Sequence, residues 1–339
     1  MPKLKDVADV FDGYRPTESW DETFAPPGKP RAAGDAPVPA SQPADASVID
    51  AAEWDLVSRG VRQRVRVLEA FLADVYGPGR AFDDGVLPWR LLYTAGRFRR
   101  EVAGFAPPNG VRCHVSVIDL ARDDQGQFRV LADNTRVPSG VSREEYPTRL
   151  LAALRAAAPH SVADPFIVVL TPGARDAVSL ECALLARRMG VKLVEGKDLV
   201  CWRNRVYMRT THGRRPVDVI YRGVDDDWLD PLQFRPESPL GCPGLVNAAR
   251  AGNVTIANAI GNGVADDKPS YTYIPDLTRY YLGEEPLLEN MASRRHHPDG
   301  APGRIGVRTI AVNDGGDVCV LPGVVLPGVA RKAAREGDG

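Results

Sequence analysis

The stretch "PFIVVLTPG", residues 165–173, constrains the chain more than any other. A strand with one wet face alternates apolar and polar residues, whereas an unbroken apolar run bounded by prolines reads as a strand buried on both faces. Residues Asp176–Met189 follow at helical spacing, and a second apolar run comes at Val191–Val194. Strand, helix and strand in that order imply a crossover connection and a parallel sheet. In open parallel sheets ligands bind beyond the carboxyl ends of the strands.

Other segments add to this frame. Asp50 and Glu53 have capping-box spacing, and Trp54, Val57, Val61, Val65, Leu68, Leu72 and Val75 then line one helical face that ends near Gly77-Pro78-Gly79. Arg62, Arg64 and Arg66 read as a solvated face of that helix in preference to a phosphate site. Residues 114–134 alternate about an Asp-Asp-Gln-Gly turn and read as a β-hairpin, as do 199–209 about Arg203-Asn204 and the C-terminal run about Asn313–Gly316. Further strands are expected at 216–224 and at Val254–Asn258, with a helix near Pro243–Ala251 and a tyrosine-rich one over Ser270–Leu282. The class is α/β or α+β with a mixed sheet.

Composition narrows the function. With 43 basic and 44 acidic side chains the formal charge is -1, so no global field favours nucleic acid or an anionic membrane. The five cysteines are scattered without a C-x-x-C pair, which argues against a disulfide framework and a structural zinc site. No apolar run reaches the ~18 residues a membrane span needs, and no secretory leader is evident, so the expectation is a cytoplasmic protein. Residues 1–24 form an N-terminal segment and 25–48 a disordered Pro/Ala linker. One domain is expected over 49–339, with an α/β subdomain at 165–265.

Three places carry candidate chemistry, each with a plain alternative. The first hairpin sets Asp119 on one strand and Asp133-Asn134 on its neighbour, oxygen donors suited to Mg²⁺, followed by Arg136 as a carboxylate or phosphate fork. The same residues also make an ordinary hairpin with polar ends. Arg222 sits at a strand end as a possible carboxylate clamp, and Asp225–Asp227 read as a solvated loop and helix N-terminus. "AIGNGVADDK" places Gly261, Gly263 and Lys268 at a strand-to-helix junction, where they either meet a phosphate or only make a turn. Walker A, H-E-x-x-H and G-x-S-x-G motifs are absent, and His296-His297 is poor evidence for a metal.

Together, "HVSVIDLARD", "LADNTRVPSGVS", "VVLTPG", "ARRMGVKLVEGKDLV", "VYMRTTHG", "VDVIYRGVDDDWLDPLQFRPES", "GNGVADDK" and "IPDLTRYYLGEEP" resemble the circularly permuted ATP-grasp proteins, relatives of the glutathionylspermidine synthase fold, over roughly 50–290, with a weaker match over Arg304–Ala330. Such proteins activate a carboxylate as an acyl phosphate with Mg-ATP and pass it to an amine. The resemblance implies Mg²⁺ on Asp119, Asp133 and Asn134, substrate or phosphoryl contacts from Arg136 and Arg222, and ATP contacts from Lys268, Gly261, Gly263 and Arg308.

Against that pattern, Ala132 stands where a metal-binding glutamate is usual, Gly223 where a second arginine is, and Gly306 where an aspartate is. Residues Ala174–Val178 lack the usual tyrosine and histidine, and a piece is missing after Ser142. The loop from Pro286 to Arg304 lacks the family's lysine and glycine-rich clamp, leaving an incomplete nucleotide-binding half. The expectation is a relative of ATP-dependent carboxylate–amine ligases with weak or no turnover, acting on small-molecule or peptide carboxylates and amines. A protein partner that completes the site is a further expectation. The alternatives are an active ligase and a non-catalytic scaffold or binding module.

Overall fold

The computed structural model describes residues 24–25, 29–30, 49–94, 96–123, 125–138, 144–159, 162–291 and 306–326. Two residue pairs, β1 (Phe24–Ala25) and β2 (Lys29–Pro30), form a minimal antiparallel bridge from the end of the N-terminal segment into the stretch read as a structureless linker; the other residues of 1–48 lie outside the described ones.

Helix α1 (Ala51–Val75) starts as its cap dictates. The Asp50 carboxylate accepts the Glu53 N–H at 2.8 Å, and Glu53 accepts the Asp50 N–H at 3.2 Å. Val57, Val61, Val65, Leu68 and Leu72 are buried and form its inner face. Full burial of each such side chain contributes about 1.5–3 kcal/mol. Short helices α2 (Arg80–Asp83) and α3 (Arg90–Thr94) follow.

The first hairpin is β3 (Val115–Arg122) and β4 (Phe128–Asn134). It joins β12 (Gly306–Asn313) and β13 (Val318–Leu326) in an antiparallel sheet of order β13-β12-β3-β4. The register shifts between Asp119↔Ala132 and Leu120↔Val130, so Leu131 bulges out of the ladder. Ile118 and Asp133 therefore share one face, while Val117, Asp119, Ala132 and Asn134 share the other.

After α4 (Tyr146–Ala156) come β5 (Ile167–Leu170), α5 (Val178–Met189) and β6 (Lys192–Val194), the expected βαβ unit. Strands β7 (Leu199–Trp202), β8 (Arg205–Thr210) and β9 (Gly213–Pro216) form a separate antiparallel sheet, its first turn made by Arg203 and Asn204 at φ 51° and 55°. The chain then runs through β10 (Val219–Arg222), α6 (Asp226–Leu229), α7 (Leu245–Arg250) and β11 (Thr255–Ala257). Strands β11-β10-β5-β6 form an all-parallel sheet, so parallel and antiparallel pairing are divided between sheets instead of mixed in one. Val117 and Ile310 of the antiparallel sheet, Leu150 of α4, Leu185 of α5 and Val169 and Tyr221 of the parallel sheet share one core.

The tyrosine-rich stretch is two helices, α8 (Lys268–Thr272) and α9 (Ile274–Leu282), instead of one. Pro275 has no N–H to donate to the preceding turn, so the helix stops and restarts around it.

The segment after β11 stitches the two sheets. Asn258 donates Nδ2 to the Val115 carbonyl at 2.6 Å and accepts the Val115 N–H at 2.8 Å. Asn262 donates Nδ2 to the Arg112 and Thr135 carbonyls at 2.9 and 3.0 Å, reaching the start of β3 and the end of β4. Between them Gly261 has φ +94°, and the Tyr76 hydroxyl donates to its carbonyl at 2.9 Å. A Cβ on Gly261 would lie 2.5 Å from both Cζ and the hydroxyl of Tyr76. Gly261→Ala combines left-handed strain with overpacking and should cost about 3–5 kcal/mol in urea denaturation. A loss below ~1 kcal/mol would show that the loop is not fixed by this contact.

Candidate functional site

The candidate residues gather where the β3–β4 face that carries Asp119 and Asn134, with the turn after β4, meets the segments that follow β10 and β11. On the antiparallel sheet Asp119 stands opposite Ala132 on one side and Arg308 on the other. Arg308 donates Nε and Nη2 to the two Asp119 oxygens at 2.8 and 2.9 Å, a bidentate pair. Asn134 is on the same face; its Oδ1 accepts the Arg136 N–H at 3.3 Å.

Asp133 is not brought to that face. Arg64 of α1 donates Nε and Nη2 to its two oxygens at 2.6 Å each, with both side chains almost fully buried. The bulge that turns Ala132 and Asn134 toward the cleft turns Asp133 toward α1. Arg64 is accordingly a buried partner and not part of a solvated face. Arg62, which donates Nε to the Val318 carbonyl, and Arg66, paired with Glu284, are both exposed, as a solvated face requires.

Arg222 is fully buried at the end of β10. Its guanidinium donates to the carbonyls of Asn258, Val224 and Ala259 at 2.8–3.1 Å and pairs with Asp226 at 2.8 Å. The expected substrate clamp is thus directed into the protein, tying β10 to the segment after β11. The three aspartates do begin a helix, as expected, yet none is simply solvated. Asp225 caps α6 and pairs closely with Arg136, Asp226 holds Arg222, and Asp227 pairs with Arg99 at 2.5 Å. Burial raises the Asp225 carboxyl, but the Arg136 charge outweighs it and holds the group below its usual range.

Arg136 also faces Asp266, with Nε 3.6 Å from the carboxylate. Asp266 accepts the Thr135 N–H and hydroxyl at 2.6 Å each. Even so, burial raises its pKa to about 6, the Thr135 hydrogen bonds and Arg136 only partly opposing it. Gly263 lies against the stems of Arg136 and Arg97. Lys268 is exposed as the first residue of α8. Asp266 entered the sequence reading only as part of the stretch "AIGNGVADDK", and Arg97 and Arg99 escaped it. The basic run Arg97-Phe98-Arg99-Arg100 is their one local signal, and only tertiary folding brings it to the loop after β11.

As donors for Mg²⁺ these residues do not fit as they stand. Asp119 is fully engaged by Arg308, Asp133 faces away, and the described residues contain no cluster of three His, Cys, Asp or Glu groups suited to a metal. An oxyanion fits the arginine-lined end better. No described helix is long and apolar enough to cross a membrane.

Two joined sheets, one parallel and one antiparallel, with charged residues gathered at the carboxyl ends of the parallel strands, define an α/β protein with a candidate ligand site there. Family models described as "A circularly permuted ATPgrasp" and "Circularly permuted ATP-grasp type 2" match residues 142–301 and 47–144, and the chain belongs to the circularly permuted ATP-grasp family. It is 53% identical over 272 residues to an uncharacterised protein of Mycobacterium leprae, covering 73% of this chain and 48% of that one. An uncharacterised Synechocystis protein is 44% identical over 268 residues, 72% of this chain and 56% of its own. A putative glutamate–cysteine ligase of Frankia casuarinae is 41% identical over 270 residues, 72% of this chain and 31% of its own. The chain thus spans about half the length, or less, of these curated relatives.

Two buried groups set opposing pH dependences. For Asp266, raised from 3.8 to about 6, the folded state holds a proton that the unfolded state has lost, so stability falls as pH rises across that interval. His114 is fully buried with both ring nitrogens unpartnered, and burial lowers its pKa from 6.5 to about 4. There the unfolded state binds the extra proton, so stability rises with pH over that range. The two slopes largely cancel. Relative to the native chain, Asp266→Asn should steepen the rise of stability between pH 4 and 6 by on the order of 3 kcal/mol, and His114→Leu should reverse it. Urea denaturation at stepped pH checks this; unchanged slopes in both variants would contradict the assignment.

Proposed function

We propose that this chain is a ligase-derived ATP-grasp-like protein that binds a carboxylate-bearing small molecule or peptide and turns over Mg-ATP weakly or not at all. ATP-grasp proteins in general use ATP and Mg²⁺. The observation that carries the reading is that the charged cleft groups already answer one another within the chain. Arg308 occupies Asp119, Asp225 and Asp266 occupy Arg136, and Arg222 is spent on backbone carbonyls and Asp226. Catalysis of phosphoryl transfer rests on preorganised charge aimed at the phosphates. Here Mg²⁺ at Asp119 and Asn134 requires Arg308 to leave first, and Ala132 supplies no replacement oxygen.

The name of the Frankia casuarinae relative, a putative glutamate–cysteine ligase, favours a second reading, an active carboxylate–amine ligase. In that case Arg136 and Lys268 would contact the transferring phosphoryl group, and further grip on ATP would come from chain outside the matched region or from a partner. Both readings share a cleft that receives a carboxylate.

An ADP-release assay with Mg²⁺ across amino acids and amines separates them. We expect turnover well below about 1 s⁻¹. Turnover at or above that rate, abolished by Asp119→Ala, would establish the second reading.

A further inference from the structure

We propose that Arg97, held beside Arg136 across Gly263, is a ligand-binding residue of the cleft and that the group it takes is a single carboxylate. The inference rests on the cleft being the ligand site but not on any use of ATP.

Arg97 is half-buried and has no hydrogen-bond, ion-pair or ring partner among the described residues. The other arginines at this end carry ion pairs, Arg99 with Asp227 and Arg136 with Asp225 and Asp266, although the Nε of each has no hydrogen-bond partner. A guanidinium offers five donors and no acceptor, and partial burial removes much of the water that would otherwise satisfy them.

Gly263 explains how the two arginines come together. Its backbone is not left-handed, so the turn itself does not require glycine. Space favours it instead: a Cβ there would lie 3.3 Å from the Cδ of Arg97 and 3.3 Å from the Cδ of Arg136, so both flexible stems would have to give way slightly. Two cationic stems thus lie against one residue without a side chain, at the carboxyl end of the parallel sheet, where such folds take their ligands. One of the two charges is neutralised within the protein and the other is not.

The surrounding charge selects the ligand class. Asp225, Asp227 and Asp266 already place carboxylates around the arginines, so a polyphosphate would meet three like charges. A lone carboxylate matches the unpaired Arg97 guanidinium in charge and in its two-pronged geometry.

The test uses the full chain labelled with ¹⁵N-arginine, without nucleotide or Mg²⁺, at constant ionic strength. The Arg97 Nε–H resonance is the one missing from the Arg97→Gln spectrum. Acetate should shift it saturably, while pyrophosphate should bind no more tightly than acetate. In Arg97→Gln the acetate affinity, followed on the remaining cleft resonances, should fall about tenfold or more; Arg97→Lys, which keeps the charge but loses the fork, should lie between. Gly263→Ala, which pushes two flexible stems apart, should weaken acetate binding several-fold with the fold intact by circular dichroism. An Arg97 resonance indifferent to acetate, equal acetate affinity in Arg97→Gln, or tenfold tighter binding of pyrophosphate through Arg97 would each overturn the proposal. Failure of ATP turnover would not touch it.

Discussion

The structure depends on one amide. The Nδ2 of Asn262 has two hydrogens, and it spends them on carbonyls from the two arms at the open end of the first hairpin, Arg112 before β3 and Thr135 after β4. Because Asn262 itself follows the last parallel strand, those two bonds fix the distance between the sheets. Buried amides cost several kcal/mol when unmet, so the arrangement is tightly determined once formed. Everything in the cleft inherits it. Thr135 is held to Asp266, Arg136 is swung toward Asp225, and Gly263 is set between two arginines. The Gly-Asn-Gly turn is therefore first a seam between sheets, and only through Gly263 a part of the ligand end.

The electrostatics of this cleft are largely closed. Deeply buried charges are costly to desolvate unless they are paired or hydrogen-bonded. Arg64–Asp133 and Arg222–Asp226 serve the fold, each inside the protein. Asp119–Arg308 and Arg136–Asp225 face the cleft and are less deeply buried. A ligand that needs those groups must break an ion pair before it gains a contact. That is a reason for slow chemistry that does not involve the length of the chain. It also explains why an unpaired guanidinium in such a place carries meaning.

Much of the fold was legible because local signals and tertiary demands agree. The Asp50–Glu53 box, the apolar run at 165–173 and the Arg203-Asn204 turn each dictate an element by short-range physics, and each is present. The site was less legible, for two reasons. Alternation along a hairpin predicts which residues share a face only while the ladder is unbroken. Asp133 and Asn134, as neighbours on one strand, must face opposite ways, and the bulge at Leu131 decides which of them joins Asp119, a choice no spacing reveals. Charge partners are also set by folding: nothing near Arg222 in sequence announces the carbonyls of Asn258 and Ala259. Arg97 lies 166 residues before Gly263 in the chain, and composition cannot join them.

The claim that the cleft answers its own charges is tested most directly by calorimetric titration of the full chain with ATP, in the presence and absence of Mg²⁺. Closed pairing at Asp119 predicts that Mg²⁺ alone produces no saturable heat, and that it changes ATP affinity by no more than about threefold, under ~1 kcal/mol. Mg²⁺ that tightens ATP binding tenfold or more, with the gain lost in Asp119→Ala, would contradict it and return the aspartate to a metal-binding role.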